Sequence, residues 1–327
     1  MKEVLDYMEV EKMKKFISRP YRWAAIYSIL LTVAFSFTML DTFVLPKSIA
    51  NATTVSIASK SASTASSSST STSFSTKSSS QSQAIVTDSS YEDENIKITI
   101  ETVRKYDSNI YVADIQVYDP SYLKTAFANN TYGRNITATT SDMAENNSAI
   151  FAINGDYYGF RDDGHVVRNG VEYRDTASSG DNDALVIDKD GNLSIVKEGE
   201  VSLDSLSDKG AWQVLSFGPG LVEDGKITVT SSSEVGKAMS SNPRTAIGQI
   251  SKLHYVVIVS DGRTSESAGL SLLQLAEEFK ERGCTVAYNL DGGGSSTMYF
   301  NGKVINKPTS GKSIGERKVS DIVYIGY

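Results

Sequence analysis

The residues best suited to chemistry gather in Asn289-Leu290-Asp291-Gly292-Gly293-Gly294-Ser295-Ser296-Thr297, where one acid precedes three glycines and three hydroxyl residues. Glycine loses more backbone freedom on folding than any other residue, so three in a row imply a sharp turn or a very close approach. Amides unshielded by side chains can turn several N–H donors toward one anion. Asp291 stands at the mouth of such an anion site, an arrangement suited to a phosphate-bearing substrate. Other segments share this character: Asn154-Gly155-Asp156, His165-Val166-Val167-Arg168, Ser216-Phe217-Gly218-Pro219-Gly220, Asn242-Pro243-Arg244 and Ser260-Asp261-Gly262-Arg263. Taken singly, each is an ordinary turn or a solvated charge; taken together they place acids, arginines and amides at a series of strand ends, where scaffolded sites collect.

The elements that must position them are mostly strands. Ile96-Lys97-Ile98-Thr99-Ile100 alternates apolar and polar residues as a half-buried strand does, and Ile110 to Val117 reads as its neighbour. The continuous apolar run Ala149-Ile150-Phe151-Ala152-Ile153 predicts a strand buried on both faces, and His254-Tyr255-Val256-Val257-Ile258-Val259 reads as the strongest core strand. Asp190-Gly191 between two apolar runs predicts a hairpin; the cluster Asp181, Asp183, Asp188 and Asp190 does not match the spacing of a calcium loop, turn chemistry explains its last pair, and the cluster reads as structural. The clearest helix spans about residues 270–282: Leu272, Leu275, Ala276 and Phe279 share a face, Ser271 with Gln274 forms a capping box, and Gly283 ends it. With the strands on either side it makes a crossover unit. Helices are otherwise scarce, so the expected fold class is α+β, a β-dominated single catalytic domain over residues 91–327.

The N-terminal part is of another kind. A basic segment, residues 1–22, precedes an apolar stretch, 23–45, about as long as a bilayer-crossing helix requires. The positive-inside rule puts the basic end in the cytoplasm and the remainder outside. Ala50-Asn51-Ala52 resembles a processing site, but the long basic lead and long apolar run favour a retained anchor over a cleaved signal. Residues 46–90 are rich in Ser and Thr and lack the apolar surface to offset ordering entropy, so they are expected to form a disordered stalk. Net charge is −7, which argues against nucleic acid as a partner. The one cysteine, Cys284, excludes an intramolecular disulfide and reads as a core thiol; with only two histidines, a zinc site is not expected.

In order and wording, the segments around Asn154, Arg168, Pro219, Arg244, Asp261 and Asp291, with the closing Gly315-Glu316-Arg317-Lys318-Val319-Ser320-Asp321, resemble the phosphodiester glycosidase family. The likeness runs from about residue 149 to residue 327. It implies hydrolysis of a sugar-1-phosphate diester at the anomeric carbon, in a cell-envelope or exopolysaccharide glycan. On that reading Arg244 and Arg263 clamp the phosphate, Gly292, Gly293, Gly294, Ser295 and Ser296 complete its cradle, and Asn154 and Arg168 join the substrate-binding set. Asp156, Asp291 and Asp261 are the candidate carboxylates for an anomeric centre that gains positive charge, one of them as nucleophile or base. No cofactor is required, although Asp and Asn oxygens leave calcium or magnesium open; oligomeric state is open too. Two other readings carry different chemistry: a non-catalytic glycan- or phosphopolymer-binding module, and a metal-assisted phosphodiesterase that cleaves P–O.

Overall fold

The computed structural model describes residues 21–48, 53–54, 84–178, 182–230, 240–311 and 313–327. Nearly all of the basic N-terminal segment and the serine-rich residues 56–82 therefore lie outside the described residues. The chain divides into two compact units, residues 1–47 and 48–327. The first contains the helix Arg22–Phe43, whose 22 residues bury no side chain. At 1.5 Å per residue it is about 33 Å long, enough to cross the ~30 Å hydrocarbon layer of a bilayer.

The second unit is β-dominated, as its alternating and continuous apolar runs require. In its largest sheet, Ile96–Lys105, Ser108–Val117, His254–Ser260, Arg244–Ser251, Val286–Asn289 and Gly220–Glu223 lie side by side in that order, each antiparallel to the next. The run from Tyr255 to Val259 is continuous because both of its faces are covered. Tyr255, Val257 and Val259 enter one core with Phe151, Ile153, Leu185 and Val323, whereas Val256 and Ile258 enter another with the helix Leu272–Glu281. That helix turns Leu272, Leu275, Ala276 and Phe279 toward the sheet, and Ser271 and Gln274 close the expected capping box. Phe279 packs so closely on the sheet that a Cβ on Gly248 would fall 2.7 Å from its ring.

The crossover is present with one refinement. His254–Ser260 and Val286–Asn289 are both antiparallel to Arg244–Ser251, which lies between them, so the helix joins two parallel strands across an intervening one. A second sheet runs Met298–Phe300, Phe151–Asn154, Asp321–Ile325, Leu123–Phe127, and Phe151–Asn154 is fully buried as its apolar run predicts. A third sheet holds the hairpin Asp183–Asp188 and Leu193–Lys197 about Asp190-Gly191, followed by Ala211–Ser216, Val166–Arg168 and Val171–Arg174. Asp188 accepts the backbone N–H groups of Asp190 and Asn192, which is turn chemistry. Cys284 is buried, and burial pushes its thiol up to about 12, which keeps it protonated and unreactive.

Candidate functional site

Strand register brings the polar segments to one edge. Arg244 is paired with Ser260 and Ala246 with Asn289, so the starts and ends of three neighbouring strands meet; in the adjacent sheet Asn154 is paired with Ile322, beside Asp321. Asn154 joins the two sheets. Its amide donates to the Asp291 carbonyl (2.6 Å), and its side-chain oxygen accepts from the Thr245 hydroxyl (2.8 Å) and the Thr297 amide (3.3 Å). With no exposed surface and all these partners, Asn154 positions the loop carrying Asp291 and is not placed to touch a substrate.

Asp291 sits at the bottom of a cleft of about 660 Å³ whose walls include Arg161, Arg244, Arg263 and Arg317 with Tyr157 and Phe217. Its side chain is 10% exposed, and the carboxylate accepts from the Ser295 hydroxyl (2.5 Å) and from Arg317 Nη2 (3.2 Å). Burial raises its pKa, and the Ser295 hydrogen bond and the Arg317 charge oppose that rise without cancelling it. Arg317 also donates to Ser295 Oγ (2.6 Å) and to the Gly292 carbonyl (3.2 Å). Arg244 donates through Nε to the Leu270 carbonyl (2.9 Å), and Arg263 reaches Asn242 Oδ1 (3.0 Å). Arg244, Arg263, Asp291, Gly292 and Gly293 are thus brought together on the cleft.

The close approach that the triple glycine implies is to the protein's own chain. Gly293 has φ of 63° and a Cβ there would lie 3.0 Å from Arg263 Nη2, while a Cβ on Gly292 would lie 2.9 Å from the Pro243 carbonyl oxygen. Gly293 N donates to that same oxygen (2.8 Å), so this amide is engaged within the loop instead of facing an anion. Gly294 packs against Thr309 and Ser310. Ser295 bridges Asp291 and Arg317, and Ser296 is fully buried beneath the loop. The positive charge on the cleft walls comes from its guanidinium groups.

Asp156 borders a smaller pocket, of about 140 Å³, which Asp291, Ser295 and Arg317 also line. Asp156 is 2% exposed and spends its carboxylate on the amides of Tyr158 and Ser216 (both 2.9 Å) and on Arg168 Nη2 (2.8 Å). Arg168, equally buried, holds Asp321 as well, through Nε (3.0 Å) and Nη2 (2.8 Å). This gives two carboxylates and one guanidinium in a buried group. Burial and the neighbouring Asp156 charge, opposed by Arg168, push the Asp321 carboxyl up to about 7. Asp261 is away from the cleft, accepting from the Tyr111 hydroxyl (3.0 Å), the Lys307 amide (2.8 Å) and Asn306 (3.3 Å). Its geometry is that of a brace between strand and loop. Among the described residues no group of three or more His, Cys, Asp or Glu side chains is arranged to hold a metal ion.

Sequence reasoning did not single out Arg317, Asp321 or Arg161. Arg317 and Asp321 stand in the closing Gly315-to-Asp321 segment, which leads into and opens the last apolar strand, whereas Asp291 follows its strand.

Residues 147–326, more than half of the chain, match the family model described as phosphodiester glycosidase. The chain belongs to the phosphodiester glycosidase family. It is 34% identical over 202 residues to the SPbeta prophage-derived protein YomE of Bacillus subtilis, a match covering 60% of this chain and 31% of YomE. It is 31% identical over 191 residues to the Bos taurus N-acetylglucosamine-1-phosphodiester alpha-N-acetylglucosaminidase, covering 53% of this chain and 35% of that protein. The matches thus span about a third of the length of these relatives. The zebrafish N-acetylglucosamine-1-phosphodiester alpha-N-acetylglucosaminidase catalytic domain shares the fold at a TM-score of 0.57 and 22% identity, over 71% of this chain and 83% of that one. For this family member the sheet edge that carries Asp291, Arg244 and Arg317 lies within the matched span.

Proposed function

We propose that this phosphodiester glycosidase family member hydrolyses the anomeric C–O bond of sugar-1-phosphate diesters in cell-envelope or exopolysaccharide glycans, outside the cytoplasm. The observation that carries the proposal is one buried carboxylate, Asp291, at the bottom of a cleft walled by Arg244, Arg263 and Arg317. A phosphodiester leaves as a stable anion and needs little general-acid help; it needs positive charge around its oxygens, which guanidinium groups supply in a planar, bidentate form. As the C1–O bond breaks, its electron pair departs with the phosphate and the anomeric carbon becomes positive. An ionised Asp291 faces that carbon as nucleophile or electrostatic partner. Water supplies hydroxyl to C1, and its proton is released to solvent or phosphate, giving a reducing sugar and a phosphomonoester. Asp156, closed in by Arg168, serves as a structural neighbour to this chemistry. The apolar helix Arg22–Phe43 supports an anchor, with the basic residues before it on the cytoplasmic side.

The test uses the full chain in detergent micelles with a panel of sugar-1-phosphate diesters in ¹⁸O-labelled water. The expected result is label in the released sugar, with kcat lowered roughly a thousandfold or more in Asp291→Asn, the scale on which loss of an essential catalytic group acts. Label in the phosphate product, or no turnover across the panel, would overturn the proposal.

A further inference from the structure

The four cleft arginines differ in what they already hold. Arg317 is engaged by Asp291 and Ser295, Arg263 by Asn242, and Arg244 by the Leu270 carbonyl. Arg161 has no hydrogen-bonded or ion-paired partner for its guanidinium among the described residues. It is held instead by two aromatic faces, 5.3 Å from the Phe217 ring centroid and 5.6 Å from that of Tyr157. The Tyr157 ring and the Phe217 backbone have partners of their own. Tyr157 stacks on Phe160 at 4.7 Å, and the Phe217 amide donates to the Tyr288 hydroxyl (2.8 Å). The Arg161 backbone is fixed too: its amide donates to the Tyr158 carbonyl (3.3 Å) and its carbonyl accepts from Arg174 Nη1 (2.7 Å).

Stacking on a ring occupies the face of a guanidinium and leaves its in-plane N–H groups available. Arg161 is therefore a half-buried, pre-positioned cation with unspent donors, on the wall of the cleft that holds Asp291. Two of the acids near it are committed elsewhere: Asp162 pairs with Arg134, and Asp183, on the cleft, with Lys197. Arg161 takes no part in the hydrogen bonds that join Asp291, Ser295 and Arg317, so its donors remain available for an anion of their own.

We infer that Arg161, held between Tyr157 and Phe217, forms a second anion subsite in this cleft. The preferred substrate is a sugar phosphate carrying a further anionic group outside the diester that is cleaved. This rests on the glycosidase reading above for its chemistry, but the subsite itself is a statement about binding. The second anion is either another phosphate, as in a repeating sugar-phosphate polymer, or a carboxylate, as in an acidic glycan.

The experiment measures kcat/KM of the full chain in detergent on three synthetic sugar-1-phosphate diesters that differ only in the end of the alkyl aglycone: neutral, carboxylate or phosphate. Wild type should prefer a charged end by roughly tenfold or more, the scale of one charge-assisted hydrogen-bonding group. Preference for the phosphate end alone identifies a phosphate polymer; preference for both charged ends identifies acidic glycans more broadly. Arg161→Gln should remove the preference and Arg161→Lys should keep part of it, with unfolding midpoints measured for both. An absence of preference in wild type, or an equal loss on all three substrates in Arg161→Gln, overturns the inference. If wild type turns over none of them, the hydrolytic reading fails and calorimetry with propane-1,3-bisphosphate and propyl phosphate decides the subsite. Tighter bisphosphate binding that Arg161→Gln abolishes supports it, and equal affinities refute it.

Discussion

Asp321→Asn offers a sharp test of the buried charge arrangement behind the cleft. Asp156, Arg168 and Asp321 are 2%, 2% and 0% exposed, and two carboxylates face a single guanidinium. With both acids ionised the buried group carries one uncompensated negative charge, and burial with the Asp156 charge pushes the Asp321 carboxyl from 3.8 up to about 7. A carboxyl whose folded pKa is raised contributes stability that is full below the unfolded value and is lost as pH rises to the folded value. Between pH ~4 and ~7 the unfolded chain has released this proton and the folded chain holds it. One proton of difference is worth about 1.4 kcal/mol per pH unit, so roughly 4 kcal/mol is lost across the window. Asn has the shape of the protonated acid and does not titrate, and it leaves Arg168 paired one-to-one with Asp156. Urea unfolding of both full chains in detergent, followed by tryptophan fluorescence, isolates the Asp321 contribution as the difference between two pH profiles. With a denaturant slope of about 3 kcal/mol per molar for a domain of this size, the wild-type midpoint should fall relative to Asp321→Asn by roughly half a molar per pH unit. Above pH ~7 the two profiles should run parallel. A difference curve that is flat from pH 4 to 7, or one rising in favour of wild type, would refute the assignment of an enclosed proton to this group.

Two more outcomes follow from the cleft. Arg317→Gln removes the cation that counters the burial of Asp291, so the Asp291 pKa should rise further and the acidic limb of the kcat/KM profile should move to higher pH; an unmoved limb argues against an ionised Asp291 in the reaction. The same change should lower kcat/KM roughly ten- to a hundredfold through the lost phosphate contact. Gly293→Ala places a side chain at a φ of 63°, with its Cβ 3.0 Å from Arg263 Nη2, and should cost about 1–2 kcal/mol in urea unfolding while displacing Arg263. An alanine variant with wild-type stability and activity would show that the loop relaxes at no cost.

Much of the fold was legible because burial leaves its period in the chain. Ile96 and Ile98 alternate with polar residues on a strand toward the sheet edge, Tyr255 to Val259 are apolar throughout on a central one, and the Leu272–Glu281 helix carries its cap and its apolar face in its own sequence. Strand order was not legible. Nothing local indicates that Arg244–Ser251 runs between the two strands joined by that helix, since long-range pairing depends on which faces find partners after collapse.

The same division holds for the site. Sequence alone determined that acids, arginines and glycines stand at strand ends, because turn chemistry and strand periodicity are local properties. Only the tertiary structure decided which of them meet. Asp291, Arg244 and Arg263 share a cleft, while Asp261 braces Lys307 and Tyr111, and Asp156 is enclosed with Arg168. It also decided the use of the triple glycine, whose missing side chains admit Pro243, Arg263 and Ser310 to the loop that holds Asp291 in place. A carboxylate exposed at a turn and one sealed beside a guanidinium have the same letter in the sequence. Burial and the nearest opposite charge separate them, and both are set by residues distant along the chain.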